Sequence, residues 1–277
     1  MYIRSVKPRA TVIVAGFFLA VFSFFYVQTE GAADDASGSI GKVYNLAGGV
    51  IITRADGTKV AISKGTAIFQ DDVIETAADG KLGIIFTDNT TFSLGGDGRM
   101  VIDTMIYDAA ANTGESDIDV LAGTFSFVSG KIAKAGDDAM TVSTPVATIG
   151  IRGTTVAGHA AAEGSQNTIT LMPDLDGGVG QIGVTSGGQT TIMSVAFQTT
   201  TVASALIPPA LPVVMTAAQV QEQYGEVISF MPTPPALRLL ERKMIRRAPR
   251  IPTYIPTKPP TPRHLPPPSQ GGKRYRY

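Results

Sequence analysis

Residues 141–158 read TVSTPVATIGIRGTTVAG. Val142, Val146, Thr148, Ile149 and Ile151 make this stretch apolar and β-branched, and Gly150, Arg152 and Gly153 interrupt it. Side chains of this type at this density suit a strand packed on both sides. Gly153 lets the backbone turn or approach another strand closely. Arg152 is the one cation of the stretch. A guanidinium beside so much apolar surface needs acceptors. It therefore reads either as a structural arginine that pins a turn or as a ligand or partner contact.

Outward from this stretch the pattern repeats. Strand-sized runs recur from about residue 40 to about residue 202, separated by turns rich in Gly, Asp, Asn and Lys. Asp56-Gly57 marks a hairpin, and Lys64-Gly65 and Gly187-Gly188 mark further turns. Strands are expected at 42–47, 50–54, 59–62, 81–86, 91–94 and 100–107. More are expected at 118–123, 124–128, 131–135, 167–171, 181–185, 190–195 and 197–202. This spacing predicts an all-β sandwich or barrel, with a β-helix as the alternative architecture. Residues 159–166, from His159 onward, read as a loop of small and polar residues.

Neither acidic pair in the body reads as a cation site. Asp71 and Asp72 are adjacent, so in a strand they point to opposite faces. They read as a turn or cap. Asp174-Leu175-Asp176-Gly177-Gly178 lacks the further oxygen ligands that a calcium loop needs.

The body is followed by prolines at 208, 209 and 212 and then by a short helix. Thr216 caps that helix, with Gln219 at the reciprocal position of a capping box, and Gly225 is expected to end it. Residues 227–230 read as one more strand or an apolar tether. The domain plan is therefore an export segment at 1–33, a β domain at 38–204 and a Pro-containing linker with a helix at 205–235. A basic amphipathic and Pro-rich tail at 236–277, expected to be largely disordered, completes it.

The two ends limit the compartment and the partners. Arg4, Lys7 and Arg9 precede an uncharged run of 18 residues at 10–27, and Gly31-Ala32-Ala33 follows. This is a bacterial export signal, either cleaved near Ala33 or kept as an inner-membrane anchor. The formal charge of zero hides an asymmetry. Residues 34–235 hold 9 basic and 21 acidic side chains, whereas 236–277 hold 11 basic and one acidic. The tail, through Arg242, Lys243, Arg246, Arg247, Lys273, Arg274 and Arg276, can reach an anionic glycan, a lipid headgroup or the acidic body itself. An export signal argues against nucleic acid as the partner.

The residues 144–154 carry a resemblance. Thr144-Pro145 followed by Ala147-Thr148-Ile149-Gly150-Ile151-Arg152-Gly153-Thr154 resembles the signature near the end of the FecR domain. Gly41, Gly48, Asp56-Gly57, Gly65, Asp72-Val73-Ile74-Glu75-Thr76, Phe86-Thr87-Asp88-Asn89-Thr90 and Leu121-Ala122-Gly123-Thr124-Phe125 extend the likeness over about residues 40–157. Asn89 stands where the family has Gly, in a turn Asn can still make. The resemblance implies a β-sandwich of jelly-roll type in the periplasm or at the surface of a Gram-negative bacterium. It also implies relatives that pass a signal across the inner membrane to a sigma factor. Only nine residues precede the apolar run, too few for a sigma-binding element. A stand-alone exported member is the expectation.

Chemistry is sparse. The chain has no Cys and two His, His159 and His264. Neither a nucleophile elbow nor a phosphate loop is present, so no enzyme and no cofactor are expected. Arg152, Gly153, Thr154 and His159 remain as structural or partner-contact candidates. The expected role is a non-enzymatic envelope binding or scaffolding module, with an envelope protein or an anionic glycan or lipid as partner. An anchored signalling component or a structural, adhesive surface protein are the alternatives.

Overall fold

The computed structural model describes residues 38–136 and 138–233. The export segment, the basic tail and the tail cations lie outside the described residues. Among the described residues no helix is long and apolar enough to cross a membrane.

Among the described residues the fold is all-β with one α-helix. The first half of the chain forms β1 (Gly41–Ala47), β2 (Val50–Thr53), β3 (Lys59–Val60), β4 (Ala67–Ile68), β5 (Val73–Thr76), β6 (Lys81–Phe86), β7 (Thr91–Leu94), β8 (Arg99–Asp108) and β9 (Thr113–Val128). The second half forms β10 (Met140–Thr144), β11 (Ala147–Arg152), β12 (Thr155–Ala160), β13 (Asn167–Met172), β14 (Gln181–Ser186), β15 (Gln189–Met193), β16 (Gln198–Val202), β17 (Val213–Val214) and α1 (Ala217–Phe230).

Pairing divides the strands into two runs. The first is β4–β1–β6–β7–β9–β12–β13–β16–β17, antiparallel throughout. The second is β3–β2–β5–β8–β9–β10–β11–β14–β15, with one parallel pair, β9–β10. β9 belongs to both. Its first half pairs with β8 and β10, its second half with β7 and β12. Gly123 stands at the crossing with φ of 96°. A Cβ there would lie 2.6 Å from the Gly98 Cα, so only glycine permits the bend.

Inward side chains of both runs share one core. Val43, Leu82, Ile84 and Phe86 from the first run meet Ile52, Ile74, Met100, Ile118, Val142 and Ile149 from the second. Phe92, Phe125 and Phe127 stack with ring centroids 5.8–6.4 Å apart.

Below the core's rim, Arg54 and Asp72 form an ion pair at 2.5 Å, with side-chain exposures of 13% and 1%. Arg54 also lies over the Phe69 ring at 4.6 Å and donates to the Ala67 carbonyl at 3.0 Å. The Asp72 carboxylate accepts from the Phe69 N–H at 2.8 Å. The doubled acid is thus a structural element, as its spacing implies, with Asp71 turning at φ of 63°.

Helix α1 covers the outer face of the first run. Thr216 and Gln219 form the expected capping box. Val220, Tyr224 and Val227 bury themselves against Ala157 and Met172. The Tyr224 hydroxyl hydrogen-bonds with the hydroxyl of Thr168 at 2.8 Å and receives that of Thr170 at 3.2 Å.

Several expectations are corrected. Residues 131–135 are not a strand but hold a 3-10 turn at Ile132–Lys134. Their backbone is taken up by a loop: the Lys131 N–H donates to the Asp88 carbonyl and the Ile132 N–H to the Asp88 carboxylate. The separate strands at 118–123 and 124–128 are one bent strand. Gly225 does not end α1, and 227–230 form its last turn. Gly225 is buried, and the apolar face continues through Val227, so packing carries the helix to Phe230, where Pro232 stops it. His159 and Ala160 belong to β12, not to a loop. A short strand, β17, follows the prolines. Finally, 141–158 is three strands, not one packed on both sides. β10 and β11 bury alternate residues, and only β12 is covered on both faces.

Candidate functional site

The signature stretch places its exposed residues on the outer face of the second run. In β11, Ile149 and Ile151 point into the core, so Thr148, Gly150 and Arg152 point out. Register then aligns these outward positions with those of neighbouring strands. One row runs Asp119–Ser143–Thr148–Thr185–Thr190. The next runs Asp117–Thr141–Gly150–Gly183–Ile192, and Arg152 faces Gln181 beyond it.

Between these rows lies a groove of about 320 Å³. Gly150 and Gly183 stand directly opposite each other and form its floor. Thr141, Thr148, Thr185 and Thr190 form its sides, Ile192 one wall, and Arg152 with Gln181 one end. The floor exists because two aligned glycines leave out side chains. A Cβ on Gly150 would lie 2.8 Å from the Asp138 carboxylate, and one on Gly183 would lie 3.2 Å from the Thr190 methyl.

Hydroxyls dominate the polar lining. Thr141 donates to the Asp117 carboxylate at 2.8 Å, the Thr185 and Thr190 hydroxyls are 2.8 Å apart, and Arg152 donates to the Gln181 side-chain oxygen at 3.4 Å. One flank is acidic. The Asp119 carboxyl is held above the ordinary aspartate range by burial first, and then by the charges of Asp117 and Asp103. Such a lining can donate and accept hydrogen bonds along an extended polar ligand or chain. Among the described residues no group of three or more His, Asp or Glu is placed to hold a metal ion.

Of Arg152, Gly153, Thr154 and His159, Arg152 alone lies in this groove. Gly153 turns the chain from the second run to the first with φ of 61°. Thr154 is buried and structural: its N–H donates to the Ser129 hydroxyl at 2.7 Å, and its own hydroxyl accepts from the Gly180 N–H at 3.2 Å. His159 sits in the first run, with its Nδ1 3.1 Å from the Thr124 hydroxyl. The two sheets therefore keep His159 away from Arg152. Asp174 closes a turn and accepts from the Thr155 hydroxyl at 2.7 Å. The groove threonines carried a signal, polar residues at alternate positions of β10, β11, β14 and β15, but only register shows that they align.

Comparisons with known proteins bear on the central part of this chain. No match is found among curated proteins. A solved structure described as a cell surface anchoring domain shares 30% identity over 22% of this chain and 80% of its own, with a TM-score of 0.22. A candidate anti-sigma factor from Parabacteroides distasonis ATCC 8503 shares 13% identity over 54% of this chain and 62% of its own, with a TM-score of 0.42. The chain thus spans less than two thirds of the latter's length. The assignment rests instead on the family model described as FecR protein, which matches residues 72–173. That segment runs from the buried Asp72 through β13 and supplies Thr141, Thr148, Gly150 and Arg152 to the groove, and over those residues this chain carries a FecR domain.

Proposed function

We propose that this chain is a non-enzymatic sensing component of the bacterial envelope. Its N-terminal segment anchors it to the inner membrane, and its β domain meets a partner on the periplasmic side. The observation that carries this reading is the FecR match over residues 72–173, the stretch that builds the centre of both sheets and half of the groove. The reading takes the two sheets with their shared core as a β-sandwich, the jelly-roll connectivity being the expectation that comes with the resemblance. The partner is an envelope protein or an anionic glycan or lipid. The groove supplies hydroxyls and one guanidinium, and the basic tail supplies reach.

The test replaces Gly183 by Arg, which fills the groove from an outward strand position. Transcripts and the N-terminus of the mature protein are compared with those of the parent strain. A sensing component retains residues 1–33 and loses a defined transcriptional response in the Gly183→Arg strain. An unchanged transcript profile overturns the signalling role.

The aligned hydroxyl rows favour a second reading, a stand-alone binding or scaffolding module. It is distinguished by a partner that is captured by the parent chain and lost from Gly183→Arg while transcription stays constant.

A further inference from the structure

From Gly177 to Gln221 the sequence contains no Asp, Glu, Lys or Arg. This uncharged segment builds one end of the molecule. Among the described residues β15 is the last strand of the second run and pairs only with β14, and β17 is the last strand of the first and pairs only with β16. Between them, the loop before β17 packs on the β14–β15 turn. The Gly187 N–H donates to the Ala205 carbonyl at 3.0 Å, and a Cβ on Gly187 would lie 2.6 Å from the Ile207 carbonyl carbon. The loop and the β14–β15 turn thus form one surface, from which β15 and β17 lead away.

That surface is apolar. Ile192, Leu206, Ile207, Leu211, Val213 and Val214 are each more than half exposed, and Leu206 and Leu211 are nearly bare at 87% and 90%. Exposed edge strands are usually guarded by charge, proline or a bulge. β17 has prolines ahead of it, but β15, with the sequence QTTIM, has neither charge nor proline. The opposite end is guarded: β3 and β4 have two residues each, β3 carries Lys59, and Ala67 and Ile68 of β4 are buried. An apolar end facing a guarded end does not make a head-to-tail stack. Like facing like instead gives an isologous two-fold contact, which is closed.

We propose that the uncharged β15–β17 end is a self-association surface, where two copies of this chain pair β15 antiparallel with its symmetry mate. The segment itself adds no charge, so its strands bring none of the repulsion that two charged strands would meet; the Glu163 carboxylate, which accepts from the Ala205 N–H at 3.1 Å, is the charge beside its loop. Covering the six exposed aliphatic side chains removes on the order of 600 Å² per copy, approaching the roughly 800 Å² per partner of a standard interface, before the strand backbone is added. Pairing through β15 also joins the two grooves, since Thr190 and Ile192 of that strand line each of them. The contact stands on the edge and the apolar end, independently of any signalling role.

The chain has no cysteine, so a single introduced thiol reports one contact. Gln189→Cys, Thr190→Cys, Thr191→Cys and Ile192→Cys are made singly in the full chain, with Thr58→Cys at the far end as control. Cells are treated with a mild oxidant, and the products are read on a non-reducing gel. Antiparallel edge pairing gives a disulfide-linked dimer at one or two of the four β15 positions, those nearest the two-fold axis, and none at Thr58. No dimer at any β15 position, or equal dimer at Thr58, overturns the proposal. As a second measurement, Ile192→Lys with Val213→Lys in the full chain lowers self-association at least tenfold in sedimentation. Both sites are exposed, so circular dichroism keeps its parent form. Unchanged association in that variant also overturns the proposal.

Discussion

Replacing Asp72 by Ala removes the carboxylate from two partners at once. Arg54 loses its counter-charge at 2.5 Å and the Phe69 N–H loses its acceptor at 2.8 Å. Arg54 does not follow the carboxylate out of the fold. Its second amino group still donates to the Ala67 carbonyl, and its plane still lies over the Phe69 ring. The result is a guanidinium held near the interior without this carboxylate. Removing one partner of a buried pair costs about 3–5 kcal/mol, because the remaining charge has given up water and no longer meets the carboxylate that offset that loss. Domains of this kind have about 5–15 kcal/mol in total, so the loss is a large fraction of it. At about 2–4 °C per kcal/mol for a body of this size, the thermal midpoint falls by roughly 6–20 °C. Urea unfolding of the full chain, followed by circular dichroism, gives the free energy directly. The double variant Arg54→Met, Asp72→Leu removes both charges and recovers most of the loss. A cost below about 1 kcal/mol for Asp72→Ala, or no recovery in the double variant, refutes the reasoning.

Two further outcomes follow from the same structure. Gly123→Ala forces a side chain into a left-handed backbone position 2.6 Å from another Cα, so urea unfolding shows a loss of about 2 kcal/mol or more. Asp119→Asn acts in the opposite direction. Burial and two neighbouring carboxylates raise the Asp119 pKa in the folded state, so the folded chain binds this proton more tightly than the unfolded chain. Stability from this group is therefore present in acid and is lost as pH rises through the folded-state pKa. The Asn variant is the more stable at neutral pH, by less than about 1 kcal/mol because the face is open to solvent, and the difference shrinks as pH falls below the ordinary aspartate value. Thermal midpoints at a series of pH values check this, and a difference that grows in acid contradicts it.

Much of the body was legible before any coordinates. β6 and β7 have the bounds that alternation and turn residues predict, and the capping box begins α1 where Thr216 and Gln219 place it. Local rules sufficed because these features are set by residues close in sequence. They failed where a distant segment intervened. The turn at Ile132–Lys134 depends on Asp88, and Gly225 stays helical because a sheet lies beneath it. The groove was half legible: Arg152 was singled out, but the threonines and glycines beside it come from β10, β14 and β15 as well as β11.

The sequence by itself determined the all-β class, the family signature, the uncharged stretch at 177–221 and the contrast between an acidic body and a basic tail. Each of these is a property of composition or of neighbours along the chain. Only the tertiary structure decided that Gly150 and Gly183 share a floor, that Arg152 and His159 belong to different sheets, and that β15 and β17 are edges at one end. Strand register and sheet order set those relations. They join residues far apart in sequence, and a one-residue slip would turn every groove threonine into the core.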